Sequence, residues 1–372
     1  MQKKLIVLAV TSIMAAPMVA QAGLEVYGKG IVSVEASDNG ATNGDAMTLS
    51  TNQSRIGFKG AEELDGGLTF IWQWENYVNF DTGGWGGMDV NNGADAGLAT
   101  SDVSGADDNS LSIKGRNTYV GFRGDFGKAL AGRHDTPYKQ AVTDLDPFKD
   151  LAADFNSIMG VSEKKFKHAD RLSNMLAYTS PEVGGFQFLG AYILDETRDN
   201  VNDDGYSFAG VYKNGPLRLS AGYQVANEQG NVDASSNLGN DTAMELGVSY
   251  AIGKTDLSFI YETTDSDTKG VGEDTDRNAM FFAVKHKIDK NTLALTYTVV
   301  DDYGTSVDTG ASQVSAGVYR ALSKKTKLYA LYTAIDNDAK AKFDLYNETG
   351  GVEKGYDPSS LTVGVISKFS SM

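Results

Sequence analysis

The sequence predicts an all-β protein, a 16-stranded antiparallel transmembrane β-barrel with short turns at one end and long loops at the other. Three observations predict it. From Glu25 onward apolar and polar residues alternate in many short segments of similar length, the two-residue period of a strand with one apolar and one wet face. The connections between these segments alternate between tight and long. No later stretch approaches the roughly 18 consecutive apolar residues of a membrane helix, so a membrane form of this chain crosses as strands.

At the N-terminus, Lys3 and Lys4 precede the apolar run Leu5 to Val10, and small residues lead to Ala20-Gln21-Ala22. This is the layout of a secretory signal peptide, residues 1–22, with an A-x-A cleavage site. Residues 23–372 are then expected to form one barrel domain, since no Pro-rich or low-complexity linker divides them. Losing the two lysines takes the formal charge from −16 to −18, and a chain this acidic is repelled by the phosphate backbone. Nucleic acid is therefore not an expected partner. The chain has no cysteine, which removes disulfides, thiolate metal sites and thiol nucleophiles.

The alternation is clear within single segments. Leu68, Phe70, Trp72 and Trp74 are apolar against Thr69, Gln73 and Glu75; Leu217, Leu219, Ala221 and Tyr223 alternate with Arg218, Ser220 and Gln224. Met244 to Tyr250 and Leu293 to Val299 repeat the pattern. Seven connections read as tight turns built on Gly, Asn, Asp and Lys, among them Lys213-Asn214-Gly215-Pro216, Ile252-Gly253-Lys254 and Ile288-Asp289-Lys290-Asn291, residues that supply hairpin backbone angles. The long connections, roughly 35–51, 79–115, 136–172, 194–205, 225–241, 264–276, 301–312 and 336–360, are polar and acidic. Seven turns and eight loops make fifteen connections and sixteen strands. Sixteen strands of about 10 residues use roughly 160 positions, which leaves enough for seven turns and eight loops. Short turns on one side and long loops on the other are the asymmetry of outer-membrane barrels. The chain has 18 Tyr and 16 Phe against 3 Trp, and Tyr27, Tyr77, Tyr119, Tyr178, Tyr250, Tyr261 and Tyr297 lie near strand ends, where interfacial girdles would use them.

The segment Arg116-Asn117-Thr118-Tyr119-Val120-Gly121-Phe122-Arg123-Gly124-Asp125-Phe126-Gly127, continuing through Ala131-Gly132-Arg133-His134-Asp135-Thr136-Pro137-Tyr138-Lys139, resembles the most recognisable stretch of the Gram-negative general porins. Leu24-Glu25-Val26-Tyr27-Gly28, Ser54-Arg55-Ile56-Gly57-Phe58-Lys59-Gly60 and Arg171-Leu172-Ser173-Asn174 also resemble family segments, so the likeness covers most of the mature chain. The resemblance implies a water-filled channel in the cell outer membrane for passive diffusion of ions and small hydrophilic solutes, with no reaction catalysed and no cofactor. It also implies a homotrimer set among outer-membrane lipid and lipopolysaccharide, inserted by the barrel-insertion machinery. A third external loop would fold inward and narrow the pore, carrying Asp144, Asp146, Asp150 and Asp154. The chain departs from the family at its end, Lys368-Phe369-Ser370-Ser371-Met372, where members usually finish on a terminal aromatic.

Side-chain parity predicts which charges line such a pore. Ile56 and Phe58 form the apolar set of their strand, so Arg55 and Lys59 face the lumen. Leu130 and Gly132 are read as lipid-facing, which turns Arg133 inward, and Lys29 shares the parity of Glu25 and Tyr27. An arginine facing lipid near the midplane costs about 2–4 kcal/mol. Arg116 and Arg171 join this set through the resemblance. The expectation is a basic wall facing the acidic loop across the narrowest section; the alternative is that these arginines neutralise loop carboxylates and shape the interior. Ion preference stays open between cations gathered by acidic outer loops and anions favoured by a basic constriction, and the resemblance leans toward anions.

Other motifs carry less. Asn200-Val201-Asn202-Asp203-Asp204-Gly205 has the start of a calcium loop but Val211 at its twelfth position, where an EF-hand needs a bidentate Glu. Gly127-Lys128-Ala129 lacks the upstream glycine and the hydroxyl of a phosphate loop. His134, His168 and His286 lie far apart with no nucleophile motif beside them. Three rival functions remain at this point: a substrate-selective outer-membrane channel, a barrel enzyme of about ten to twelve strands, and a secreted β-rich adhesin.

Overall fold

The computed structural model describes residues 23–42, 44–81, 115–161, 167–195, 204–227, 240–266, 276–346 and 352–371. The signal-peptide expectation and most of the Asn200–Gly205 motif lie outside these residues. Seventeen strands are assigned among them: β1 Glu25–Asp38, β2 Asp45–Ser50, β3 Arg55–Glu63, β4 Thr69–Tyr77, β5 Thr118–Gly124, β6 Gly127–Asp135, β7 Arg171–Thr179, β8 Phe186–Ile193, β9 Gly205–Asn214, β10 Leu217–Ala226, β11 Asp241–Ile252, β12 Thr255–Ser266, β13 Arg277–Ile288, β14 Asn291–Val300, β15 Ala311–Ala321, β16 Thr326–Asn337 and β17 Ser359–Ser370. A six-residue helix, α1, covers Pro137–Val142.

Apart from β2 and β3, consecutive strands pair antiparallel, and β17 returns to β1 in register from Tyr27↔Ser370 to Asp38↔Ser359. Closure leaves no sheet edge for another chain to pair with. β2 and β3 both pair with β1 and form one stave interrupted at Thr51–Ser54, so the seventeen strands make a sixteen-stave barrel. At the interruption the Ser54 hydroxyl accepts from the Ile31 amide at 2.7 Å and donates to the Ile31 carbonyl at 2.9 Å. A side chain thereby supplies the ladder bonds that the backbone gives up. The long loop expected at 35–51 is accordingly mostly strand, and the connection between β1 and β2 spans only residues 39–44.

All seven tight turns form at one end of the barrel. Gly215 and Gly253 hold φ of 56° and 61° in their two-residue turns, angles that glycine reaches without Cβ strain. Alternation sets the two faces. Leu295 and Leu361 on the outer wall are 53% and 55% exposed, while Thr296, Thr298, Ser360 and Thr362 are buried inward. The outer wall also presents Tyr178, Tyr250 and Tyr297, in keeping with a girdle. Tyr27, Tyr77 and Tyr119 do not belong to it. Tyr27 donates to Glu75, Tyr119 donates to Gln73, and Tyr77 stacks beneath Arg116, all inside the lumen.

The connection between β6 and β7, residues 136–170, folds into the barrel. It begins with α1, capped by the Thr136 hydroxyl, which accepts the Lys139 amide, with Pro137 at the first helical position; both features favour a helix start. Tyr138, Val142, Leu145, Phe148, Ile158 and Met159 of this loop are at most 5% exposed. Val142, Leu145, Ile158 and Met159 pack on inward-facing apolar residues of the far wall, including Ile260, Phe281, Ala283, Val300 and Ile335, and Phe148 packs with Ala294, Tyr319 and Leu331. Each large side chain buried this way contributes about 1.5–3 kcal/mol. The loop therefore forms a packed core against the far wall, and a polar cavity lies beside β3, β4, β6 and β7.

Candidate functional site

Polar ties fix the inward loop on its wall. The Tyr138 hydroxyl donates to Glu262 Oε2 at 2.7 Å and the Gly160 amide to Glu262 Oε1 at 2.8 Å, so one buried carboxylate on β12 holds the loop at two points 22 residues apart. Tyr319 Oη donates to the Pro147 carbonyl at 2.7 Å and Arg218 Nη2 to the Ala141 carbonyl at 2.8 Å. Arg277 donates to the Val161 carbonyl and stacks on Tyr303 and Phe343. The wall is shaped to receive the loop: a Cβ at Gly247 would meet Leu145 and Val142 at 2.8 and 3.0 Å, and one at Gly317 would meet Phe148 at 2.7 Å.

The loop's other side faces the basic residues, and here the four loop carboxylates separate. Asp150 Oδ2 stands 2.8 Å from Lys29 Nζ and 3.2 Å from Arg55 Nη1. Burial pushes its carboxyl upward, but the Arg55 and Lys29 charges overcome this and hold it well below the usual carboxylate range. Asp146 and Asp154 turn away from the basic wall and fold the loop itself. Asp146 accepts the amides of Phe148 and Phe155, and Asp154 accepts those of Asp150 and Asn156. Burial and the neighbouring Asp154 push the Asp146 carboxyl well above its ordinary value. Asp144, with its side chain 69% exposed, reaches Lys149 at 3.6 Å and Arg218 at 4.0 Å.

The six basic residues also divide. Lys29 and Arg55 converge on Asp150. Beside them, Arg116 pairs with Glu75 at 2.9 Å, donates to Gln53 and lies over the Tyr77 ring. Arg171 pairs with Asp135 at 3.1 Å and donates to Asn117. Lys59 stands apart, 3.0 Å from Glu25 and over the Tyr27 ring. Arg133 is not at the constriction: it donates to the Gly115 carbonyl and the Ser173 hydroxyl. The parity that placed it there is also reversed, because Leu130 is buried while Ala129 and Ala131 are exposed. A β-bulge between Gly132 and His134, with Gly132 at φ 140°, breaks the alternation that the reading assumed.

Between wall and loop lies a polar cavity of about 140 Å³. Six cationic side chains line it, Arg55, Arg116, Arg171, Lys139, Lys149 and Lys167, against four carboxylates, Glu75, Asp135, Asp150 and Asp170. Most of the cations are thus tied to a carboxylate, yet the lining retains a positive excess. Sequence reasoning missed Glu75, Asp135, Lys139, Lys149, Lys167 and Asp170. Glu75 was within reach, since it shares the inward parity of Gln73 on β4.

Comparison with known proteins agrees with this geometry. A family model described as Gram-negative porin matches residues 7–340. The chain is 27% identical over 385 residues to the outer membrane porin protein 32 of Delftia acidovorans, covering 98% of this chain and 99% of that protein. It is 30% identical over 229 residues to the major outer membrane protein P.IB of Neisseria meningitidis serogroup B, covering 60% of this chain and 58% of that one. Among solved structures, an anion-selective porin from Comamonas acidovorans superposes with a TM-score of 0.76 at 22% identity, covering 94% of this chain and all of that one. The trimer form of OmpT from Vibrio cholerae gives 0.65 at 15% identity, covering 94% and 99%.

Proposed function

The chain belongs to the Gram-negative porin family and is an outer-membrane β-barrel porin, a channel rather than an enzyme; from that premise we propose that its constriction favours small anions among the hydrophilic solutes it passes. The observation that carries this reading is the excess of cationic over carboxylate side chains around the cavity beside Asp150. In a narrow, low-dielectric section the sign of the fixed charge raises the local concentration of the opposite ion. Lys29 and Arg55 act on the open side of the loop, and Asp150 anchors the loop by pairing with both. Arg116 and Arg171 add positive potential while their carboxylate partners keep them in place, so the two roles weighed for the arginines coexist. The anion-selective Comamonas porin, similar in fold, supports the same direction.

The assembly is a homotrimer in this reading, supported by the trimer form of the Vibrio OmpT to which the fold is similar, and residues 1–22 act as the export signal. The test is permeation by purified protein in liposomes. Small sugars should enter without saturation, and of two solutes matched in size the anionic one should enter faster. Saturable entry of a single solute, or faster entry of the cationic member of a matched pair, contradicts the proposal. Unit steps grouped in threes in planar bilayers would support the trimer; single uniform steps would contradict it.

A further inference from the structure

Among the described residues of β13 to β17 and their connections, the two ends of the barrel carry opposite charge. On the turn side of β13, β16 and β17, the inward-facing positions hold Lys285, Lys327 and Lys368. Lys327 lies within electrostatic reach of Lys29, Lys285 and Lys368, and Lys29 and Lys368 are direct cross-strand partners. Like charges placed opposite one another across a ladder are destabilising, so this grouping is not what stability alone would select. Asp256 meets one member, 2.9 Å from Lys285, and Asp150 meets Lys29. At the loop side of the same strands and their connections, Asp301, Asp308, Asp336, Asp338, Glu353 and Asp357 are exposed, against Lys340, Lys342 and Lys354.

The ends are far enough apart to act separately. Nine residue steps separate Ser359 from Lys368 on β17; at about 3.3 Å per residue and a tilt near 40° they span roughly 20 Å along the barrel axis. The screening length is about 10 Å at ~0.1 M salt and about 3 Å at ~1 M. At the lower concentration the acidic mouth and the basic vestibule impose distinct fields on ions inside.

We propose that the channel rectifies, conducting better when the external side is positive; this rests on the porin reading. With that polarity, cations are drawn in through the acidic mouth and anions through the basic vestibule. Both move toward the constriction, so carriers accumulate there and current rises. The opposite polarity draws each ion out through the end where it is enriched and depletes the constriction. A channel with one sign of charge throughout has selectivity but not this asymmetry.

The experiment uses the full mature protein in planar bilayers in symmetric KCl. The chain has no cysteine of its own, so Glu182→Cys in the turn between β7 and β8, labelled with a membrane-impermeant thiol reagent, reports which end faces which chamber. At ~0.1 M the current at external-positive voltage should exceed that at the opposite voltage by about 1.5-fold or more, and the ratio should approach one at ~1 M. The Lys285→Gln, Lys327→Gln, Lys368→Gln triple variant should bring the ratio toward one at ~0.1 M while still conducting. A ratio of one for the unaltered channel at low salt, the opposite polarity, or a ratio indifferent to salt overturns the inference, and the salt series decides it even if the triple variant does not fold. An anion-signed reversal potential with symmetric current would leave the porin reading standing and remove this one; no conductance at all would remove both.

Discussion

The Phe148 ring of the inward loop lies directly on Gly317 of β15, so closely that a Cβ there would come within 2.7 Å of Phe148 Cε1. The contact makes the inward loop part of the barrel's own packing, with the wall left bare of side chains where the loop needs room. Replacing Gly317 with Val should lift the loop off its seat. Overpacking of this kind costs about 1–3 kcal/mol. The variant should show a lower heat-unfolding midpoint in detergent and an altered unit conductance, while Val363→Ala on the lipid face changes neither. Wild-type conductance in Gly317→Val would mean that the seat does not set the pore.

Glu262 fastens the inward loop at two separate points, Tyr138 and Gly160. Glu262→Ala leaves two buried donors without their acceptor, at a cost of about 1–3 kcal/mol each. Single-channel records of Glu262→Ala should show frequent brief changes of conductance level, and Glu262→Gln, which keeps an acceptor oxygen, should show fewer. Equally quiet records from all three proteins would count against the latch.

Acid should act through His168 before it acts through Asp150. Burial, assisted by the Arg277 charge, lowers His168 to about 3, so between about pH 6.5 and 3 the unfolded chain binds a proton there that the folded one does not. Stability from this group is therefore full above about pH 6.5 and falls as pH drops, by roughly 1.4 kcal/mol per unit. Asp150, whose folded value is depressed, contributes stability above its unfolded value of about 3.9 and loses it only as pH falls below that. Between pH 7 and about 4, His168→Leu should flatten the dependence of unfolding on pH relative to wild type. Parallel curves would contradict the assignment.

The sixteen staves were legible because a membrane barrel enforces the two-residue period more strictly than a soluble sheet does. Leu217, Leu219 and Tyr223 against Arg218, Ser220 and Gln224 separate outward from inward without exception. Legibility failed where a third surface intervenes. Ile260 and Phe281 point inward yet are apolar because the loop covers them, so Ile260 interrupts the polar inward set of β12 and Ala279, Phe281 and Ala283 make the middle of β13 apolar on both faces. It failed again at the bulge between Gly132 and His134, where the register shifts and strand parity no longer places Arg133. At the constriction, the pairing of Lys29 and Arg55 with Asp150 joins residues 121 and 95 positions apart, and no local pattern identifies which of the four loop aspartates takes that place. Asp150 is distinguished by its left-handed φ of 72°, held by Asp154 through its amide.

Removing the Asp150 carboxylate should separate its two roles. Asp150→Asn leaves Lys29 and Arg55 without their charged partner; breaking a buried ion pair from one side costs about 3–5 kcal/mol, so the variant should unfold at lower temperature. Where it remains folded, the constriction gains one net positive charge and anion preference should increase. A folded Asp150→Asn channel with reduced anion preference would mean that the carboxylate does not oppose the arginines there.

The measurement that bears most directly on the account is the zero-current potential of the purified protein in a planar bilayer under a tenfold KCl gradient, compared with that of Arg55→Glu. Tenfold here corresponds to about 1.4 kcal/mol of driving force per ion. The expected potential has the sign given by chloride permeating faster than potassium, and it moves toward zero or reverses in Arg55→Glu. A potential of potassium sign in the unaltered channel, or one that Arg55→Glu leaves unchanged, would contradict a constriction whose basic side sets ion preference.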